Sequence, residues 1–400
     1  MILELHIIQN FAPSNLNRND TGAPKDCIFG GSRRARISSQ CFKRAMREHF
    51  KENFTAQENL AERSTRLVEE IASQLEQAGK DKAEAKRIVE TALAGIGLNM
   101  SKKDAEKTEY LLFFGREEIR KFTEICLENY DALLEVAPPD TSEMSAKDAK
   151  KASKAGSLPQ VSKTLLDAMD GGRAADLALF GRMLADLPIK NRDASSQVAH
   201  AISTHKTGVE FDFFTAVDDL KPEDMAGSDH LGTVEFNSAC FYRYANVNVE
   251  KLRENLQGDE ELTRATVEAY IRAAVEAIPT GKQNSFATHE KPSFVLAVVG
   301  DAGKCSLANA FEKAVKNEEW VETEKGSDEK KVKREGLVLN SIEKLSGHYE
   351  RINKIYGDNA KSKVYVKTND ALTRGLGTEA NSFAELIDAT VGVIFNGQEA

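Results

Sequence analysis

The chain has 400 residues, 41% of them hydrophobic and 29% charged, with a formal net charge of -9. That length accommodates two or three domains or one large core with insertions, and the composition is that of a soluble globular protein. No apolar run is long enough to span a bilayer, and the five scattered cysteines (Cys27, Cys41, Cys126, Cys240, Cys305) make no CxxC or zinc-ribbon spacing, so a reducing, cytoplasmic setting without a membrane partner is expected.

Residues 2–11 place Leu3, Leu5 and Ile7 opposite Glu4, His6 and Ile8, which predicts a mostly buried strand rather than a signal peptide. The stretch 25–47, KDCIFGGSRRARISSQCFKRAMR, holds seven basic residues and one acid, Asp26, on a chain that is acidic overall. Cations gathered on one short loop and helix repel each other unless an anion sits among them, and a run of phosphates fits better than one. Gly30 and Gly31 permit positive φ and close approach of another backbone. Ser38 is the predicted N-cap of a helix whose unpaired amides suit phosphate oxygens. On that helix Gln40, Lys43 and Arg47 share one face, while Phe42, Ala45 and Met46 pack on the other. The competing reading is a glycine turn followed by a solvated basic face; the density of cations favours function.

Residues 51–137 change character. The patterns 61–79, 82–98 and 108–136 predict long helices, and Pro138-Pro139 stops the third. More helix is expected at 157–187. Within 145–157, Lys147, Lys150, Lys151 and Lys154 would form a ridge on a short helix; a solvated face is the default and contact with a duplex backbone the functional option. From about 209 the texture turns to strands, at 209–220, 233–249 and 293–301, with helices expected at 259–277 and 308–316. Residues 322–336 are very polar and read as an exposed loop. The fold class expected is α+β, with antiparallel strands covered by helices on one face. The turn 279–286, PTGKQNSF, could offer amides, Lys282 and Gln283 to phosphate, or be simply a good turn.

Little of the chain reads as catalytic. It has no HExxH, GxSxG, Walker lysine loop or kinase signature, and no metal or cofactor site is expected. The acidic pair Asp218-Asp219 reads as a solvated turn. A ribonuclease could use His205, His230 or His289, but nothing in the sequence selects one as base or acid.

The segments 15–20 (NLNRND), 25–47, 199–205 (AHAISTH), 213–220 (FFTAVDDL), 230–248 (HLGTVEFNSACFYRYANVN) and 306–316 (SLANAFEKAVK) together resemble the CasC family, the backbone subunit of the type I-E CRISPR Cascade complex. The likeness runs in the same order across most of the chain and is weakest at 51–180 and after about 320. It implies a right-hand shape. The modified RRM-like (ferredoxin-like) palm would comprise 1–56, 196–206 and 238–400, the helical fingers 57–195, and the extended hairpin thumb 207–237. It implies no catalysis and no cofactor. The partners it implies are CRISPR RNA, target DNA, further copies in a helical filament and other Cascade subunits.

By motif, Arg18 and Lys25 look like phosphate ligands. Ser38, Gln40, Lys43, Arg44 and Arg47 look like the palm-helix grip on the RNA backbone. Phe214 and Thr215 resemble the thumb residues at a kinked nucleotide, with Met183 the fingers residue opposite. The lysines at 147, 150, 151 and 154 resemble the part of the fingers that touches target DNA. An aromatic and a Met can wedge apart stacked bases whatever their identity. Two rivals remain: an RRM-like endoribonuclease that processes the guide, and an α+β assembly protein with no nucleic-acid role.

Overall fold

The computed structural model describes residues 1–101, 104, 107–137, 158–216, 230–301, 303–322 and 331–397. The described chain falls into two compact units. The first comprises 1–53, 196–249 and the chain from 264 onward. The second comprises 54–195 and 250–263. No helix among the described residues is long and apolar enough to cross a membrane.

The first unit is built on a ten-stranded mixed sheet. Its strands are β1 (Ile2–Ser14), β2 (Asp26–Phe29), β3 (Ser32–Ile37), β6 (Ser196–Val198), β7 (Ala201–Ser203), β8 (Glu210–Ala216), β9 (His230–Asn248), β10 (Phe294–Gly300), β13 (Ala360–Lys367) and β14 (Thr378–Glu379). The main order is β14-β13-β10-β1-β9-β7-β3-β2, with β6 and β8 also paired to β9. All these pairs are antiparallel except β13 with β14.

Helices cover both faces of this sheet, not one. The reason lies in β1, whose two faces are both buried. Ile8 joins Cys240, Tyr242, Tyr244, Phe294, Leu296 and Val298 under the helix Leu337–Tyr356, which contributes Ile342, Leu345 and Tyr349. The opposite face carries α1 (Ser39–Asn53) and the helix Glu260–Glu276. There the fully buried Arg243 sits over the Phe42 ring at 4.2 Å and donates to Gln9 Oε1 and to the Ala274 carbonyl. Burial pushes its guanidinium down to about 9, and bonded, stacked arginine is the tolerable form of a buried cation.

Two further expectations change. The stretch 308–316 does not form an α-helix; only a single 3₁₀ turn, Ala308–Phe311, appears. The carbonyls of Phe311 and Glu312, which a helix would need, accept instead from the Arg34 guanidinium at 2.8 and 3.1 Å. The polar stretch 322–336 is not only loop, because β11 (Glu318–Glu322) and β12 (Lys331–Glu335) pair as an antiparallel hairpin. Its register places Glu319 opposite Arg334 and Glu322 opposite Lys331.

The second unit is helical, as its Ala, Glu, Lys and Leu content requires. Its helices include α2 (Leu67–Gln77), α3 (Lys82–Gly95), α4 (Arg116–Glu128) and α5 (Tyr130–Val136), followed by Pro159–Ala168 and Ala175–Phe180. Two of the long helical patterns are interrupted by strands: β4 (Ala61–Ser64) pairs with β5 (Leu112–Gly115). The apolar run LLFFG favours a strand, and Gly115 then starts α4, its amide donating to Glu118 at 2.9 Å. Leu67, Ile71, Leu75, Ile88, Phe114 and Phe122 belong to its common core. The lysines 147, 150, 151 and 154, the pair Asp218-Asp219 and the tip of the expected thumb lie outside the described residues.

Candidate nucleic-acid interface

The basic stretch folds as a hairpin followed by a helix. β2 and β3 pair around Gly30 and Gly31, whose φ values are 55° and 70°. A Cβ on Gly30 would sit 1.7 Å from the Glu312 carbonyl oxygen, so the turn lies directly on another backbone. The seven cations do not share one fate. Arg34 is fully buried and spans four carbonyls, those of Ser203, Thr204, Phe311 and Glu312. It is a structural clamp. Arg33 pairs with Asp26 on the surface.

Of the remaining cations, Lys25 precedes β2, Arg36 is on β3, and Lys43, Arg44 and Arg47 are on α1. Ser38 caps that helix, its Oγ accepting from the Cys41 amide at 3.4 Å. The loop carrying Arg18 is held against the same turn, because Asn17 Oδ1 accepts from the Ser38 amide at 2.8 Å. Backbone bonds then chain the elements: Lys25 N donates to Asn17 O, and Arg36 N donates to Lys25 O, each at 2.9 Å. The loop closes on itself through Asn19, whose side chain accepts from the amides of Thr21 and Ala23. Arg18 is exposed and Lys25 half-buried. Along α1, Gln40 and Arg44 are exposed, Lys43 and Arg47 are half-buried, and Phe42, Ala45, Met46 and Phe50 are buried, as the helical spacing predicts. Partial burial pulls the Lys43 ammonium below its usual range, which an approaching anion would reverse.

The turn 279–286 joins the same neighbourhood. A Cβ on Gly281 would meet Leu16 O at 2.4 Å, so this turn packs on the backbone beside Asn17. Lys282 adopts a left-handed φ of 53° ahead of the short helix Gln283–Phe286. The Gln283 amide nitrogen donates to the carbonyls of Pro279 and Thr288, which closes the turn.

Two residues at this site escaped the sequence reading. Arg36 donates through Nε to Asp26 O at 3.1 Å and through a terminal nitrogen to His200 Nδ1 at 3.0 Å. An arginine only donates, so His200 Nδ1 is the acceptor and the imidazole is neutral. Burial, with Arg36 and Lys25 nearby, lowers the His200 pKa in agreement. The signal available was the motif AHAISTH, but only strand pairing Arg36↔Ile202 brings it to β3.

The other named residues sit on separate features. β8 and the first part of β9 form a two-stranded ribbon, with Phe214 opposite Gly232 and Thr215 opposite Leu231. Phe213 is 65% and Phe214 41% exposed, so neither is a core aromatic although they point to opposite faces. In the second unit Met183 is 83% exposed. It follows Arg182, which is locked in a buried ion pair with Glu118 at 2.8 Å. Glu118 also accepts from the amides of Gly115 and Gly171. A fully bonded buried pair holds its backbone in one place, and so fixes where Met183 emerges.

Of the three histidines of the nuclease alternative, His205 is held on both sides of its ring. His205 Nδ1 meets the Lys206 carbonyl at 3.0 Å and its Nε2 accepts from the Cys240 amide at 3.3 Å. Both ring nitrogens are therefore engaged and burial lowers its pKa. His289 is exposed, and the side chain of His230 lies outside the described residues. Burial pushes the Cys27 and Cys41 thiols up, away from nucleophilic thiolates.

Residues 3–389 match the family described as CT1975-like protein. The chain belongs to that family. Among solved structures, one subunit of a "CRISPR RNA-guided surveillance complex, pre-nicking" is 33% identical, with a TM-score of 0.83 over 99% of this chain and 100% of its own. A subunit of a "CRISPR RNA-guided surveillance complex" is 27% identical, with a TM-score of 0.70 over 98% of this chain and 100% of its own. No curated protein matches the chain. The family match thus spans the basic hairpin, α1, the β8–β9 ribbon and the helical unit together.

Proposed function

We infer that this CT1975-like protein is a non-catalytic backbone subunit of a Cascade-type CRISPR surveillance complex, of the CasC kind found in type I-E systems. It polymerises head to tail along a CRISPR RNA in the cytoplasm, grips the RNA backbone without reading sequence, and presents guide bases for pairing with target DNA. The first unit serves as the RRM-like palm, the second as fingers, and the β8–β9 ribbon as the thumb.

One observation carries this reading: the Asn17–Ser38 hydrogen bond and its neighbours bring Arg18, Lys25, Arg36 and the amides opening α1 into one cationic, anion-ready surface. Phosphate contacts from such groups would position a strand without reading it. Whole-length likeness to subunits of RNA-guided complexes supports the same assignment. The engaged ring of His205 supports a role without cleavage.

Head-to-tail assembly on a strand makes a measurable prediction. Electron microscopy of the protein on RNAs of increasing length will show particles that lengthen in proportion to the RNA. Particles of one fixed size on every RNA would contradict the filament reading.

A further inference from the structure

Apart from the basic surface, the first unit carries an acid into its sheet at a place the RNA reading does not use. Glu4, on β1, is 8% exposed. Its Oε2 accepts from the Cys305 amide at 2.7 Å and from the Tyr244 hydroxyl. Two donors on one oxygen is the arrangement an ionised carboxylate satisfies. Among the described residues no cation pairs with Glu4, and Oε1 has no hydrogen-bond partner. His6, two residues along the same face, is held far from the charged form by burial. A largely buried carboxylate with no counter-charge is costly to keep.

Glu4 is not sealed in. It lines a cleft of about 270 Å³. One wall is Tyr349, Ile352 and Tyr356, from the last turns of the helix Leu337–Tyr356; the other is Lys304–Cys305 and Asp358–Ala360. The carboxylate of Glu4 faces this cleft, while Lys363 sits 5.6 Å from the Tyr349 ring centroid. The C-terminal end of the helix dipole favours cations. Asp358 adds a second acid, bonded to Lys363. Lys304, exposed on the rim, is the only basic residue in the lining.

The chemistry of an occupant follows. A phosphate is repelled. A metal ion has too few ligands, since no group of three His, Cys, Asp or Glu occurs among the described residues. A long apolar stem ending in a cation fits, because the walls are aromatic and aliphatic and the floor is acidic. Ile355 and Tyr356, the latter 79% exposed, continue the apolar surface outward at the rim. Such a rim is covered by protein more readily than by a small amine. We propose that this cleft receives a lysine or arginine side chain presented by another protein subunit, its charged head on Glu4 Oε1 and its stem against Tyr349 and Tyr356.

The test uses the full chain and two short probes, the peptides Ac-Leu-Arg-Leu-NH₂ and Ac-Leu-Gln-Leu-NH₂. Binding is read by calorimetry on the wild type, Glu4→Gln and Tyr356→Ala. The arginine peptide is expected to bind the wild type at least about tenfold more tightly than the glutamine peptide, and either variant should erase that preference. Equal binding of both peptides, or no arginine-peptide binding by about 10 mM, would overturn the proposal. Should Glu4→Gln fail to fold, Tyr356→Ala decides alone, because that ring is exposed and its loss leaves the core intact.

Discussion

The Phe214 ring lies across the ladder on Gly232, so closely that a Cβ on the glycine would fall 2.3 Å from the ring's Cζ. An aromatic over a cross-strand glycine is held flat by the missing side chain rather than by a packed core. In the proposed function this is the ring that parts two stacked bases.

Gly232→Val should therefore lift the ring while leaving the residue in place. With 2-aminopurine at the unstacked position, wild-type protein should brighten the fluorophore on binding. Phe214→Ala should abolish the brightening and cost roughly 1–3 kcal/mol of RNA affinity, with Gly232→Val reducing both. Full brightening in Phe214→Ala would exclude the ring from the kink.

Arg34 and Gly30 act on the fold. Arg34→Met removes the donors to four carbonyls and should cost about 2–4 kcal/mol, read as a lower denaturant midpoint. Gly30→Ala drives a methyl into Glu312 O and should destabilise at least as much. The surface Arg33→Gln, by contrast, should stay within about 0.5 kcal/mol of wild type.

Arg36 is expected to be a phosphate ligand that His200 holds in place. Arg36→Gln should weaken binding of every RNA about equally and lower the salt slope by about one. His200→Ala should weaken binding less and leave the slope near its wild-type value, since it removes an orienting acceptor and not a charge. An unchanged salt slope in Arg36→Gln would remove it from the interface.

His6 makes stability depend on acid. The Leu307 amide donates to the Tyr242 hydroxyl, which shares a 2.9 Å hydrogen bond with His6 Nδ1. Burial lowers its pKa from 6.5 to about 3. Between these values the unfolded chain binds a proton that the native protein does not, so stability falls as pH drops from 6.5 toward 3. The loss attributable to His6 is on the order of 4 kcal/mol at most. Chemical denaturation of His6→Gln should show a shallower decline over that window; an identical decline would place the acid sensitivity elsewhere.

The basic hairpin and α1 were legible because their information is local: glycines at a turn, a serine cap, and apolar spacing that buries Phe42, Ala45 and Met46. The same local signals misread 308–316, where a distant arginine takes the carbonyls a helix needs. They missed β4 and β5, since four-residue strands inside helical patterns carry no periodicity of their own. They could not divide the cations into clamp and ligand, because the burial of Arg34 depends on residues 203–204 and 311–312. Arg36 and His200 were invisible as a pair for a like reason, their strands meeting only in the folded sheet.

The most direct test of the account is RNA binding by the purified protein, measured on two unrelated sequences of equal length across a salt series. The same series is run with the double variant Lys43→Glu, Arg47→Glu. The account predicts equal affinity for both sequences, a steep loss with salt, intact RNA at the end, and for the variant weaker binding with a flatter slope on both. A strong preference for one sequence, cleavage at a defined site, or a variant with unchanged affinity and slope would contradict it.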